Sequence, residues 1–206
     1  MKKALILHGT DGNSQENWFP WLAGKLTAEG WQVWVPDLPG ATRPNGGVYT
    51  TYLLEEAERG NFVFDEETVL IGHSSGAVEV LHLLNNLPTS ELVGATDEEK
   101  VTDKLPVAAA YLVGVFADDL GWTALSDLFA TAPIWDFEKI RRNCLDFKVI
   151  HSDNDPHVPL VQAKNVAREL GVGMTLISGQ GHFSVSGDPK FKEFPALLEM
   201  IIKDQV

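Results

Sequence analysis

Three separated segments carry residue types that could do chemistry together. Gly72-His73-Ser74-Ser75-Gly76 fits the pattern G-x-S-x-G. A serine set between glycines suits a sharp, strained strand-to-helix turn that lifts its oxygen clear of the backbone. Gly72 and Gly76 supply the small neighbours such a turn needs. A serine hydroxyl at neutral pH needs a partner with a pKa near 7 to take its proton. His182, within Gly181-His182-Phe183, is the candidate base. A carboxylate must then orient the imidazole and stabilise its cation. Asp155 and Asp153 compete for that place. Asp155 is favoured because Asp155-Pro156-His157-Val158-Pro159 reads as a turn leading into a helix. Asp153 is then a helper that fixes the same loop through a local Asx turn.

Five other histidines need a place. His73 adjoins the serine and points elsewhere on the turn. His82 falls in a helical pattern and His151 ends a strand-like run, so both read as packing or surface residues. His8 shapes the loop it opens, and His157 is too close to Asp155 along the chain to reach a serine on another loop. The run His151-Ser152-Asp153-Asn154-Asp155-Pro156-His157 also offers alternate imidazoles and carboxylates to a metal. It has neither the calcium-loop nor the H-E-x-x-H pattern, so no metal is expected.

These residues need elements to position them. Short β-branched runs at 4–7, 31–35, 68–72, 107–116, 147–151 and 174–177 read as strands. Helical spacing appears at 18–29, 52–59, 77–87, 159–170 and 191–202. Strand–helix alternation with unbroken apolar strands predicts a parallel sheet covered on both faces. The expected fold is a three-layer α/β/α sandwich of about six strands. In such a sheet the ligand site lies at the carboxyl ends of the strands. The serine, the carboxylate and the histidine all come directly after strands, in that chain order. Residues 117–143 interrupt the alternation and read as a small cap over one end of the sheet. The acidic stretch 89–104 reads as a solvated loop or surface helix.

Composition narrows the function classes. The chain has 206 residues and a formal charge of −13, with 16 Lys+Arg against 29 Asp+Glu. One domain spanning 1–206 is the expectation. No basic cluster stands out, which argues against nucleic acid and anionic membrane surfaces as partners. One cysteine, Cys144, excludes an intramolecular disulfide. No apolar run approaches the roughly 18 residues of a spanning helix, and the start lacks a signal-peptide core. A cytoplasmic protein is expected. Oligomeric state is not legible.

At this point the chain resembles the α/β-hydrolases. More narrowly, it is similar to the small serine hydrolases grouped with the retinoblastoma-binding hydrolase and the bacterial YdeN-like proteins. The resemblance rests on His8-Gly9-Thr10-Asp11-Gly12-Asn13 with Trp18-Phe19-Pro20-Trp21, on the G-x-S-x-G segment, and on the segments around Asp155 and His182. It implies a reduced sheet, a small cap and a Ser74–Asp155–His182 triad. It further implies hydrolysis of small esters or amides without a cofactor. Retinoblastoma binding does not carry over. That motif is L-x-C-x-E, and Cys144 has Arg142 two places before it and Asp146 two places after.

The expected chemistry is acyl transfer to water through an acyl-enzyme. The backbone N–H groups of Ser75 and Thr10 would form the oxyanion hole, with Asp11 the runner-up to Thr10. Trp18, Trp122, Trp135 and Phe183 are candidates for an apolar substrate pocket, each with ordinary core packing as the competing reading. The rival of a different class is a binding protein that keeps the fold without turnover.

Overall fold

A computed structural model describes residues 1–88, 106–130 and 135–204. Six strands form one parallel sheet: β1 (Lys3–Leu7), β2 (Gln32–Trp34), β3 (Thr68–His73), β4 (Ala109–Val113), β5 (Phe147–His151) and β6 (Met174–Leu176). Their spatial order is β2-β1-β3-β4-β5-β6. The helices are α1 (Phe19–Ala28), α2 (Gly46–Arg59), α3 (Ser75–Asn86), α4 (Phe137–Arg142), α5 (Leu160–Leu170) and α6 (Pro195–Asp204). This is the expected three-layer arrangement.

The period-two alternation of strands sorts side chains onto two faces. Leu5, Leu7, Leu70, Ala110, Leu112 and Val149 pack against apolar residues of α2, α3, α4 and α5. Ala4, Ile6, Val69, Ile71, Tyr111 and Ile150 point the other way and meet α1 and α6. Both faces are covered, which is why β1, β3 and β4 read as unbroken apolar runs. Full burial of one such Leu or Ile contributes about 1.5–3 kcal/mol.

Several boundaries differ from the sequence reading for local reasons. α2 begins at Gly46 rather than at residue 52, because the Asn45 side chain accepts the Val48 N–H and caps it there. β4 stops at Val113, because Gly114 takes φ +66° and turns the chain away from the sheet. The last helix starts at Pro195, after a separate 3₁₀ turn at Pro189–Lys192, since a proline nitrogen cannot donate to a preceding turn. Within 117–143 lie a 3₁₀ turn (Thr123–Leu128) and α4, whose first turn is capped by Asp136. The expectation for 89–104 lies outside the described residues. Among the described residues no helix is long and apolar enough to cross a membrane.

Candidate active site

All strands run the same way, so the loops after β1, β3, β5 and β6 emerge at one edge. Ser74 separates β3 from α3 at φ 57° and ψ −125°, a conformation side chains rarely adopt. Such backbone strain costs of order 1–3 kcal/mol and persists only when the surroundings enforce it. Here they do. A Cβ on Gly72 would stand 2.4 Å from Ala77 Cα, and one on Gly76 would stand 2.4 Å from the Leu7 carbonyl oxygen. The two glycines let the turn press flat against α3 and β1. The loop after β1 crosses directly over the serine, since a Cβ on Gly9 would lie 2.9 Å from Ser74 Cβ.

That β1 loop is held by His8. The Leu38 N–H donates to His8 Nε2 at 2.9 Å, so the ring hydrogen is on Nδ1 and donates to the Gly9 carbonyl at 2.9 Å. Burial lowers the His8 pKa and keeps the ring neutral, as this two-way bonding requires. The Gly12 N–H shares the same carbonyl. The Asp11 N–H donates to Ala41 at 2.9 Å. Among the described residues, no backbone carbonyl accepts the Thr10 or Ser75 N–H. The Thr10 hydroxyl donates to Ser75 Oγ at 3.0 Å and ties these two positions together.

His182 and Asp155 meet across two loops. His182 Nδ1 lies 2.7 Å from Asp155 Oδ2. The other carboxylate oxygen accepts the His157 and Val158 N–H groups at 2.9 and 3.0 Å. Burial pushes the Asp155 carboxyl up, but the His182 hydrogen bond and charge, with the two backbone donors, outweigh it and hold it below the usual range. The Asp155 side chain is 1% exposed and that of His182 is 10% exposed. Ser74 and His182 line one cavity of about 350 Å³, with Thr10 on one wall and Phe116, Leu120, Trp122 and Leu125 on another. Among the described residues, Ser74 Oγ and His182 Nε2 are not hydrogen-bonded to one another. Catalytic hydrogen bonds of this kind often tighten only in the substrate complex.

Residues 4–202 match the serine hydrolase family. The chain belongs to that family. It is 26% identical over 200 residues to YdeN of Bacillus subtilis (strain 168), which is named as a hydrolase, with 97% of this chain and 94% of that protein covered. It is 25% identical over 185 residues to serine hydrolase RBBP9 of Rattus norvegicus, covering 88% and 87% of the two chains. The crystal structure of the B. subtilis ydeN gene product superposes with a TM-score of 0.81 at 24% identity, over 99% and 98% of the two chains. The family match and the likeness to YdeN thus run through the loops that carry Ser74, Asp155 and His182.

Asp153 and Asp155 have different partners. Asp153 accepts the Gly179 N–H at 2.8 Å and the Ser178 hydroxyl, so it ties the β6 loop to its own. His151 donates from Nε2 to the Val158 carbonyl at 3.0 Å. His151, Asp153 and Asp155 thus have three separate partners and do not converge as metal ligands. Among the described residues no three His, Cys, Asp or Glu side chains form a metal-binding group.

The four aromatics do not share one place. Only Trp122 stands on the wall of the Ser74 cavity. Trp18 and Phe183 are fully buried in the core beneath it, where the indole N–H donates to the Phe183 carbonyl at 3.1 Å. Trp135 lines a different depression with Phe137 and Val166, on the α4–α5 side. Sequence reasoning named all four rings as candidates, but Trp18 opens α1 and Phe183 follows β6, and both turn inward to pack on Phe194. It also missed Gly114. A Cβ there would lie 3.3 Å from His182 Cε1, so the bare backbone makes room for the imidazole. The only signal for Gly114 was a glycine inside a long apolar run.

Proposed function

We propose that this serine hydrolase cleaves small carboxylic esters or amides through an acyl-enzyme on Ser74. The observation that carries the reading is the Asp155–His182 contact of 2.7 Å beside a strained serine on the same cavity. Asp155 holds the Nδ1–H of His182, which leaves Nε2 as the basic nitrogen. Ser74 Oγ attacks the carbonyl carbon as its proton passes to Nε2. The oxyanion accepts the free N–H groups of Thr10 and Ser75, and each such donor is worth about 10²–10³ in rate. Thr10 takes this part rather than Asp11, whose N–H is already bonded to Ala41.

Collapse of the tetrahedral centre expels the alcohol or amine, which takes the proton from Nε2. Water then loses a proton to Nε2 and attacks the acyl group. Free acid leaves, and the proton returns to Ser74. No cofactor enters this balance. Phe116, Leu120, Trp122 and Leu125 give the acyl group an apolar wall. A single domain working in the cytoplasm goes with this reading, and Cys144 is a buried free thiol.

A fluorophosphonate probe tests it, with wild type beside Ser74→Ala and the modified peptide located by mass spectrometry. Adduct on Ser74 in the wild type alone is the expected result. Folded wild type that takes no adduct would overturn the reading and leave a binding module on a hydrolase fold. For turnover, Ser74→Ala is expected to cost about 10⁶ in kcat, by analogy with measured triads.

A further inference from the structure

Three side chains outside the proposed triad grip the main chain that carries His182. His73 Nε2 lies 2.7 Å from the His182 carbonyl oxygen. A carbonyl only accepts, so His73 is the Nε2–H tautomer and donates. Trp18 Nε1–H donates to the next carbonyl, that of Phe183, at 3.1 Å. Asn17 Oδ1 accepts the Val185 N–H at 2.8 Å. Asn17 and Phe183 both sit at positive φ, 50° and 52°, so each strand of chain is bent sharply to meet the other. The rings also pack: His73 lies 4.8 Å from His182 and 6.0 Å from Trp18, centroid to centroid.

We infer that His73, with Trp18 and Asn17, is a clamp that positions His182 against the nucleophile's turn. This rests on the serine hydrolase reading of Ser74 and His182. The argument is geometric. His73 is bonded directly to Ser74 along the chain, and its side chain holds the backbone of His182. The spacing between nucleophile and base therefore runs through one residue and one hydrogen bond. Asp155 restrains the imidazole from its far edge, through Nδ1. The clamp restrains the same residue from its main chain, and together they leave the ring little freedom to swing away. Trp18 and Asn17 extend the grip to the segment after His182.

His73 suits a permanent donor. It is fully buried, and desolvation with the neighbouring His182 drives its pKa down to about 3, so the ring stays neutral wherever the protein is folded. Its Nδ1 lone pair is buried without a partner. An apolar side chain of similar shape would avoid that cost, so the packing alone does not account for a histidine here. A neutral ring also adds no repulsion when His182 becomes a cation.

His73→Leu removes the donor, and His73→Gln keeps an N–H at a similar reach. Trp18→Phe and Asn17→Gly remove the other two bonds, the glycine being free to hold the positive φ. The first readout is the second-order rate of fluorophosphonate labelling at Ser74 against pH. The second is the NMR titration of the His182 ring. Folded His73→Leu is expected to label about 10–100-fold more slowly on the pH plateau, as misplacement of a reacting group by an ångström does. Its His182 titration should shift, and His73→Gln should recover most of the rate. Trp18→Phe and Asn17→Gly should change in the same direction, and they decide the matter if His73→Leu does not fold. Wild-type labelling rates and an unmoved His182 titration in the folded variants would overturn the clamp. If the wild type takes no adduct, the activity reading fails by itself. The His182 titration in Trp18→Phe and Asn17→Gly then decides the clamp, with no shift overturning it.

Discussion

His182 Nδ1 and Asp155 Oδ2 stand 2.7 Å apart, although the two residues arrive on different loops after different strands. β5 and β6 are adjacent and parallel, so both loops leave the same edge side by side. The β5 loop then holds the β6 loop by more than this pair. Asp153 takes the Gly179 N–H, Ser152 Oγ the Gln180 N–H, and Asn154 Oδ1 the Gly181 N–H. The imidazole is therefore presented by a loop that its own acid loop anchors.

Asp155→Asn and Asp153→Asn separate these two parts. Asp155→Asn should lower kcat by about 10⁴, because an amide leaves His182 in the wrong tautomer. Asp153→Asn should cost far less, since it loosens the β6 loop without touching the ring. Turnover of p-nitrophenyl acetate by the two variants checks this. A larger loss from Asp153→Asn would assign the acid to the wrong aspartate.

Gly114 and Gly24 make a second pair. An alanine at Gly114 would have to hold φ +66°, at a cost of about 1–2 kcal/mol, with its methyl group 3.3 Å from His182 Cε1. Gly114→Ala should lower both the urea midpoint and, by about 10–100-fold, the hydrolysis rate. Gly24 lies inside α1 and has open space around it. Gly24→Ala should raise stability by about 0.5–1 kcal/mol and leave activity alone. Equal effects from the two substitutions would refute the account of Gly114.

Stability should fall as pH drops below about 6.5. Burial holds His73 at about 3 and His82 at about 4, and it also lowers His8 and His151. Between those values and the unfolded value near 6.5, the unfolded chain binds more protons than the folded one. Its proton excess makes stability rise with pH, by up to about 1.4 kcal/mol per pH unit for each such group. Glu79 acts in the opposite sense. Its carboxyl is buried between α2 and α3, accepts the Thr50 hydroxyl at 2.7 Å, and is pushed well above the usual range by desolvation. It therefore costs stability as pH rises above about 4.5. His73 and His82 by themselves outweigh one acid between pH 4.5 and 6.5, and above that window Glu79 remains. Urea unfolding across pH 4.5 to 8 should show a maximum near pH 6.5. A flat profile would mean that these histidines are solvated in the native state.

Trp122 is the one predicted aromatic on the cavity wall, and it is 47% exposed. Trp122→Ala should reduce kcat/KM for a long-chain p-nitrophenyl ester about tenfold, the equivalent of about 1–2 kcal/mol of lost apolar contact. The acetate ester should hardly change. Equal losses on both esters would place the ring outside the acyl site.

Much of the site was legible in order along the chain. A parallel sheet puts every strand's carboxyl end on one edge, so Ser74, Asp155 and His182 were readable from the loop that leaves each strand. Gly72 and Gly76 announced the turn because only a missing Cβ allows those approaches. The reading of Asp153 as a local helper did not include its bonds to Ser178 and Gly179 on the β6 loop, because long-range hydrogen bonds leave no mark in residue spacing. For the same reason His73 read as a bystander to Ser74.

The sequence by itself determined the strand–helix order, the parallel arrangement and the candidate nucleophile and base, and it favoured Asp155 over Asp153 as the acid. Those come from periodicity, from glycine's missing side chain and from chain order, all of which are local properties. Only the tertiary structure decided which aromatic faces the cavity, which N–H groups are left free, and what grips the main chain of His182. Those depend on contacts such as Trp18 with Phe183 or Thr10 with Ser75, between residues far apart in the chain. Such contacts exist only once the sheet has brought its loops to one edge.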